Sequence, residues 1–549
     1  MKPILDVARS LDIDPAHLEP YGHYKAKLLP AAYRNRPSRG RLILVSAITP
    51  TPAGEGKTTT TVGLAQGLAK IGARSAAALR EPSLGPVFGM KGGGAGGGAA
   101  EVLPAMDINM HFNGDFHAVS SAHNLLAALV DNSLHYGNPT GLDTRRVTWQ
   151  RVMDMNDRAL RAIVTGLGGR TEGVPREAGF DITAASEVMA VLCLADGIPD
   201  LKARLARIIV GYTTDGTPVP ASAIGGIGAM AALLRDAMKP NLVQTTEGVP
   251  AFVHGGPFAN IAHGTNSIAA TRAALAYADF VVTEAGFAFE LGAEKFLDIN
   301  CRYGNLAPSC TVIVATVRAL KMHGGKPLKD VDQPDMAALM RGLGNLEKHL
   351  ENARTFGLPC VVAINQFRTD LPDEIAAIGR HCESLGVTAV PSQPFLDGGE
   401  GCIDLATIVR DIASRSEPGF RPLYDWNWPI ERKVETIAVQ MYGAQTVEYT
   451  ARARRDLEQL ERNGFGGLPV CMAKTQLSLS DNPALLGRPR DFIVNVREIQ
   501  LAAGAGFVVP ITGEIMRMPG LPRAPTANRF DLTDDGAIVI HAIGEQPGL

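Results

Sequence analysis

Eight residues, Thr51, Pro52, Ala53, Gly54, Glu55, Gly56, Lys57 and Thr58, lie between the apolar run Leu42-Ile43-Leu44-Val45 and a helix-patterned stretch that opens on threonines. A glycine-rich turn in that position aims several backbone N–H groups at one spot, where the dipole of the following helix also favours negative charge. Lys57 adds a mobile cation for terminal phosphates, and the Thr58 hydroxyl is placed to reach a phosphate-bound Mg²⁺. The segment therefore predicts a strand, a phosphate cradle and a helix, in a chain that handles a nucleoside triphosphate. Thr51 stands where the usual pattern begins with Gly or Ala. The frame around it is complete: Leu64, Leu68 and Ile71, with Ala65 and Ala69 beside them, recur at helical spacing and stop at Gly72.

Further β-rich runs alternate with helical stretches: Ala76–Leu79, Arg207–Val210, Phe280–Thr283, Thr311–Thr316, Cys360–Ile364 and Thr388–Val390. Such alternation implies crossover helices and an α/β fold with a mostly parallel sheet. A Trp/Pro-rich joint at Trp426-Asn427-Trp428-Pro429 precedes helical signals over Glu431–Met441 and Ala451–Asn463. The expected organisation is a P-loop NTPase-like main domain over 1–350, an α/β segment over 351–428 and a C-terminal α/β domain over 429–549. The glycine run within Lys91–Ala100 cannot pack a core; it is either a flexible linker or a bare backbone that closes over a ligand.

Ligands of parallel sheets bind beyond the C-terminal ends of the strands, which singles out Arg80, Glu81, Glu284 and Asn365 to Asp370. Arg80 would clamp an anion or a transferring phosphoryl group. Glu284, closing Phe280-Val281-Val282-Thr283, would hold Mg²⁺ together with Thr58. His111, His117, His123 and His135 crowd near Asp107 and Asp115, but their spacing fits no common zinc pattern and no cysteine lies among them. Asp115 is the member expected to accept a hydrogen bond from a substrate. Phe367 and Phe395 each follow a strand-like run and could stack on a planar ligand or belong to the core.

A net charge of −3 provides no electrostatic footprint for nucleic acid or an anionic membrane. The chain has no apolar run long enough to cross a bilayer and a polar N-terminus unlike a signal peptide, and its 7 cysteines form no Cys-x-x-Cys pair. Reduced thiols and a cytoplasmic location are expected.

Taken together the motifs resemble those of formate–tetrahydrofolate ligases, also called formyltetrahydrofolate synthetases. The likeness covers Leu42–Gly63, Arg80-Glu81-Pro82-Ser83-Leu84-Gly85-Pro86 with the glycine run, Asp107-Ile108-Asn109-Met110-His111-Phe112 and Gly179-Phe180-Asp181-Ile182-Thr183. It continues through Phe252–Gly264, Leu291-Gly292-Ala293-Glu294-Lys295-Phe296, Gly398-Gly399-Glu400-Gly401, Pro469–Gln476 and Met518-Pro519-Gly520-Leu521-Pro522. The resemblance implies ATP-driven ligation of formate to tetrahydrofolate through formyl phosphate. It also implies catalytic roles for Lys57, Arg80 and Asp115, with Glu81 near the reacting nitrogen and Phe367 and Phe395 stacking the pterin of a folate that could carry a polyglutamyl tail. A homotetramer activated by K⁺ or NH₄⁺ follows from the same likeness.

This chain departs from the family pattern at four places. Phe395 replaces a usual tryptophan, Asp397 a usual lysine, and Leu371 a usual threonine, while Ala288-Phe289-Glu290 replaces a small-small-acid sequence. The smaller ring at position 395 should cost about 1 kcal/mol of stacking. A ligase acting on another small carboxylic acid is the alternative those changes suggest. A non-enzymatic ATP switch of the partitioning type would need a second lysine where Pro52 stands.

Overall fold

The computed structural model describes residues 1–91, 93–415 and 419–541. Gly92 of the glycine run and the last residues of the expected C-terminal domain, 542–549, lie outside them.

Runs of Leu, Ile and Val that are buried on both faces form strands in the interior of a sheet. Eight strands order the site: β1 (Arg41–Ala47), β2 (Ser75–Leu79), β3 (Asn241–Thr245), β4 (Pro250–Val253), β5 (Phe280–Glu284), β6 (Pro308–Ala315), β7 (Cys360–Asn365) and β8 (Thr388–Ser392). Across the sheet they run β3-β4-β2-β5-β1-β6-β7-β8, and from β4 to β8 every pairing is parallel. The fold is mixed α/β with a large, mostly parallel central sheet. Its neighbours on either side, β5 and β6, flank β1, and the chain changes direction of travel there; a crevice opens beyond the strand ends at such a switch point.

The hairpin β3–β4, with Ala26–Leu28 and Ala100–Leu103 antiparallel to β3, was not foreseen from the sequence. Pro250 and the polar residues of Asn241–Thr245 mask its strand character. The expected strand at Arg207–Val210 requires correction: Arg207 ends a helix, Ile198–Arg207, and the strand is Ile209–Thr213. It pairs antiparallel with Leu142–Val147 and Pro218–Pro220, apart from the main sheet. Thr316 also leaves its expected strand. It caps the helix Val317–His323 instead, its hydroxyl accepting from the Ala319 N–H at 3.1 Å.

Five helices matter to the site: α1 (Lys57–Lys70), α2 (Asp115–His135), α3 (Val317–His323), α4 (Met336–Thr355) and α5 (Ile403–Arg415). Helix α1 packs on its neighbours through glycine. A Cβ at Gly63 would lie 2.5 Å from Pro394, and one at Gly67 would lie 2.9 Å from the Cys402 carbonyl oxygen. Beyond the Trp/Pro joint come the helices Ile430–Ile437 and Ala451–Arg462 and a sheet of Thr446–Tyr449, Ile493–Ala502 and Phe507–Thr512. Their apolar residues Ile430, Val434 and Val494 join the same buried cluster as Leu42 and Leu320.

Candidate functional site

The loop after β1 is held in shape by one buried carboxylate. Gly54 and Gly56 take φ values of +83° and +73°, a region that other residues adopt only with strain. Between them the Glu55 side chain turns inward, accepting from the Thr51 N–H at 2.6 Å and from the Thr316 hydroxyl. Its main-chain carbonyl accepts from Asn365 Nδ2 at 3.0 Å, and the same amide stands 2.5 Å from where a Cβ at Gly56 would be. The loop is thus pinned from the ends of β6 and β7. A third anchor lies upstream, where the Thr49 N–H donates to Asn345 Oδ1 at 3.1 Å and to His349 Nε2 at 3.0 Å. His349 therefore carries its proton on Nδ1, which faces Glu290, and burial keeps its pKa far below the usual histidine value. Glu290, part of the departure at 288–290, is itself matched by Lys474 at 3.2 Å.

Lys57 opens α1 and Thr58 follows it. The Thr58 hydroxyl donates to Glu284 Oε2 at 2.9 Å, which brings together the residues expected to hold a metal. Glu284 ends β5 and is paired in register with Val45 of β1, so its carboxylate is presented at the root of the loop. A Cβ at Gly54 would have no atom within 4 Å, so the ground over the loop is open. Positive-φ glycines, an uncapped helix start, a lysine and a hydroxyl–carboxylate pair form a donor set that fits a triphosphate with its magnesium.

Arg80 leaves β2 on the other side of β5. Its Nη1 donates to the Pro257 carbonyl at 3.2 Å, and its buried Nε has no partner among the described residues. Glu81 is 4% exposed, its Oε2 likewise unpartnered. Burial first, then the charges of Asp115 and Asp154, lift its pKa well above the ordinary glutamate value against the pull of Lys27. Asp115 opens α2 with both oxygens engaged, Oδ1 by Lys27 Nζ at 2.7 Å and Oδ2 by Asn241 Nδ2 at 2.7 Å. Neither Lys27 nor Asn241 was singled out from the sequence, because each comes from a strand far from Asp115 along the chain. Asp154 accepts from the Ser83 hydroxyl and the Leu84 N–H, and burial raises its pKa to about 6. Of the crowded histidines, His123 stacks on Trp149 at 4.0 Å and bonds Ser186, a core position. Among the described residues no group of three or more His, Cys, Asp or Glu is placed to hold a metal.

The aromatic candidates sit past β7 and β8, which pair in register through Asn365 and Ser392. Phe367 lines an open cleft of about 570 Å³ with Asp370, Ile375, Gln393 and Leu396. The Arg318 guanidinium covers one face of its ring at 3.7 Å. Phe395 lies beside this cleft and is 57% exposed, so it is no core residue. The described part of the glycine run is pinned to it: the Ala99 N–H donates to the Phe395 carbonyl at 2.9 Å, and a Cβ at Gly98 would stand 2.1 Å from the Phe395 carbonyl oxygen. A side chain there would push the run away, which favours the closing backbone over the flexible linker.

All seven cysteines are free, and among the described residues no helix is long and apolar enough to cross a membrane. A protein-family model described as formate–tetrahydrofolate ligase matches residues 1–540.

Proposed function

The chain belongs to the formate–tetrahydrofolate ligase family and is a ligase of formate and tetrahydrofolate with ATP as the expected energy source; from that premise we propose how its residues divide the work. A formate oxygen attacks the terminal phosphorus of ATP, ADP leaves, and formyl phosphate results. The N10 amine of tetrahydrofolate then attacks the formyl carbon, phosphate departs and the amine loses a proton. Formate alone is inert to this attack because its oxygen is a poor leaving group, whereas the mixed anhydride expels phosphate.

The β1 loop, Thr51 to Thr58, is read as a P-loop NTPase-like cradle in which Lys57 neutralises the phosphoryl group in transfer. Thr58 and Glu284 would hold Mg²⁺, which when bound supplies charge compensation for the phosphates. Arg80 would hold the acyl phosphate through a guanidinium whose Nε is not yet spent on the protein. Glu81 would take the amine's proton: burial makes its ionised form a stronger base than an exposed glutamate, and Asp115, fixed by Lys27 and Asn241, shapes its surroundings. The pterin would stack on Phe367, which lines the cleft, and on Phe395, and the tetrahydrofolate could carry a polyglutamyl tail.

The observation that carries this reading is the Thr58–Glu284 hydrogen bond, which joins the start of α1 to the end of β5 beside the cradle. We further propose a cytoplasmic homotetramer activated by K⁺ or NH₄⁺, and division into a nucleotide and acyl phosphate domain (1–350), a folate-contributing segment (351–428) and a C-terminal domain (429–549). The test combines two assays on purified protein: formylation of tetrahydrofolate, read as methenyltetrahydrofolate after acid, and ATP synthesis from ADP and carbamoyl phosphate, an analogue of the intermediate. Activity in both supports the acyl phosphate route. Formylation without any ATP synthesis from the analogue, in wild type and in Arg80→Ala alike, would remove it.

A further inference from the structure

A second cavity opens at the far end of the sheet from the loop, where the strands begin, and nothing in the ligase reaction uses it. It has a volume of about 800 Å³ and is walled by Gly40 and Leu42 at the start of β1 and by Leu306 and Ala307 before β6. That size lies within the roughly 300–1,000 Å³ of small-molecule sites.

Its charge is one-sided. Arg34, Arg36, Arg235, Lys239 and Arg272 line it, against Asp196 as the acid among the lining residues. Several of these cations are already matched. Arg235 pairs with Asp236, Lys239 with Glu19 and Asp236, and Arg272 with Asp196. Arg34 and Arg36 are different: among the described residues neither guanidinium has a hydrogen bond or a carboxylate partner. Arg34 is exposed and Arg36 half-buried, and each rests against one neighbour. The Arg34 guanidinium lies so close over Gly197 that a Cβ there would stand 1.4 Å from Nη2, and Gly197 has φ of +86°. Arg36 stacks on the Tyr277 ring at 4.3 Å, and that ring is fixed by a 2.7 Å hydrogen bond from its hydroxyl to the Ala32 carbonyl. Gly197 is the N-cap of the helix Ile198–Arg207, whose start lines the cavity and carries Asp200 in its first turn.

We propose that this cavity is a binding site for a small multivalent anion, a molecule carrying adjacent phosphate or carboxylate groups, gripped by Arg34 and Arg36. Two guanidiniums on the cavity wall with their donors unspent can recognise such groups bidentately. The site is separate from the phosphate cradle, and the inference does not depend on the catalytic assignments above.

The test is calorimetric, on the full chain with the cradle saturated by Mg²⁺ and a non-hydrolysable ATP analogue. Inorganic tripolyphosphate and the tricarboxylate tricarballylate are titrated in separate arms, distinguishing a phosphate from a carboxylate ligand. Wild type should bind one probe or both, more weakly at higher salt, and Arg34→Gln/Arg36→Gln should lose at least tenfold in affinity with kcat unchanged. A melting curve confirms that the variant is folded; should it fail, the single variants Arg34→Gln and Arg36→Gln carry the same comparison. No heat from either probe, or equal binding by folded variants, overturns the proposal. So does a variant whose sedimentation shows a smaller assembly while its anion binding is unaltered, since the cavity is then an interface between copies of this chain.

Discussion

The loop end and the aromatic end of this candidate site are built on opposite terms. At the loop, each key group is buried or bonded: Glu55 ties Thr51 to Thr316 and Asn365, and Thr58 is bonded to Glu284. At the cleft, Phe395 is more than half exposed, Phe367 is stacked by an arginine on one face, and the space between is open. Phosphoryl transfer, the role proposed for the loop, depends on charges fixed before the reaction and tolerates little play. A flat ring is held by area, which several side chains can supply. The departures at Leu371, Phe395 and Asp397 all fall at the second, more forgiving end.

If that contrast is right, substitutions at the loop should be severe and confined to ATP chemistry. Lys57→Ala should cut formylation on the order of 10²–10³-fold or more with the melting temperature unchanged, as expected when a charge that stabilises the transition state is removed. Near-normal turnover would sink the cradle assignment. Glu55→Ala leaves the Thr51 N–H and Thr316 hydroxyl without their acceptor, a loss of about 1–3 kcal/mol. The expected result is a drop of roughly 5- to 150-fold in kcat/KM for ATP with the KM for tetrahydrofolate steady; equal damage to both substrates would show the two ends to be one mechanical unit.

Acidity probes the buried side in another way. Because burial lifts the Asp154 pKa from 3.8 to about 6, the folded chain keeps this proton at pH values where the unfolded chain has released it. The contribution of Asp154 to stability is therefore greatest below about pH 4 and declines as pH rises to about 6, by on the order of 1–3 kcal/mol. Denaturant titrations should show a smaller decline over that range for Asp154→Asn than for wild type. Parallel curves would mean that Asp154 is better solvated than its position implies. The gentlest effect is expected at the cleft: Phe395→Ala should raise the KM for tetrahydrofolate about 5-fold, and Phe395→Trp should lower it, with ATP kinetics unaffected. A matching change in the KM for ATP would take Phe395 out of the pterin site.

Much of this was legible from residue order. The strand, loop and helix around Lys57 follow from apolar spacing and two glycines, and β5, β6, β7 and β8 all lie within a few residues of their expected places. The hairpin β3–β4 was missed because proline and polar residues weaken its local pattern, and Thr316 was read as strand because nothing nearby marks it as a helix cap. Lys27, Asn241 and Arg318 left no local trace at all. Each acquires meaning from a neighbour elsewhere in the chain, as Lys27 does from Asp115, 88 residues away.

Dihedral freedom, hydrophobic spacing and helix caps act over a few residues, so the order of amino acids was enough to dictate the strand, loop and helix around Lys57, the alternation of strands and helices, and the family. Which groups meet is another matter. Thr58 reaches Glu284, 226 residues distant, because β5 lies against β1 in register, and the Glu81 pKa lies well above the ordinary glutamate range because its neighbours exclude water. Strand register and burial are properties of the packed molecule, and pairings and proton affinities follow from them.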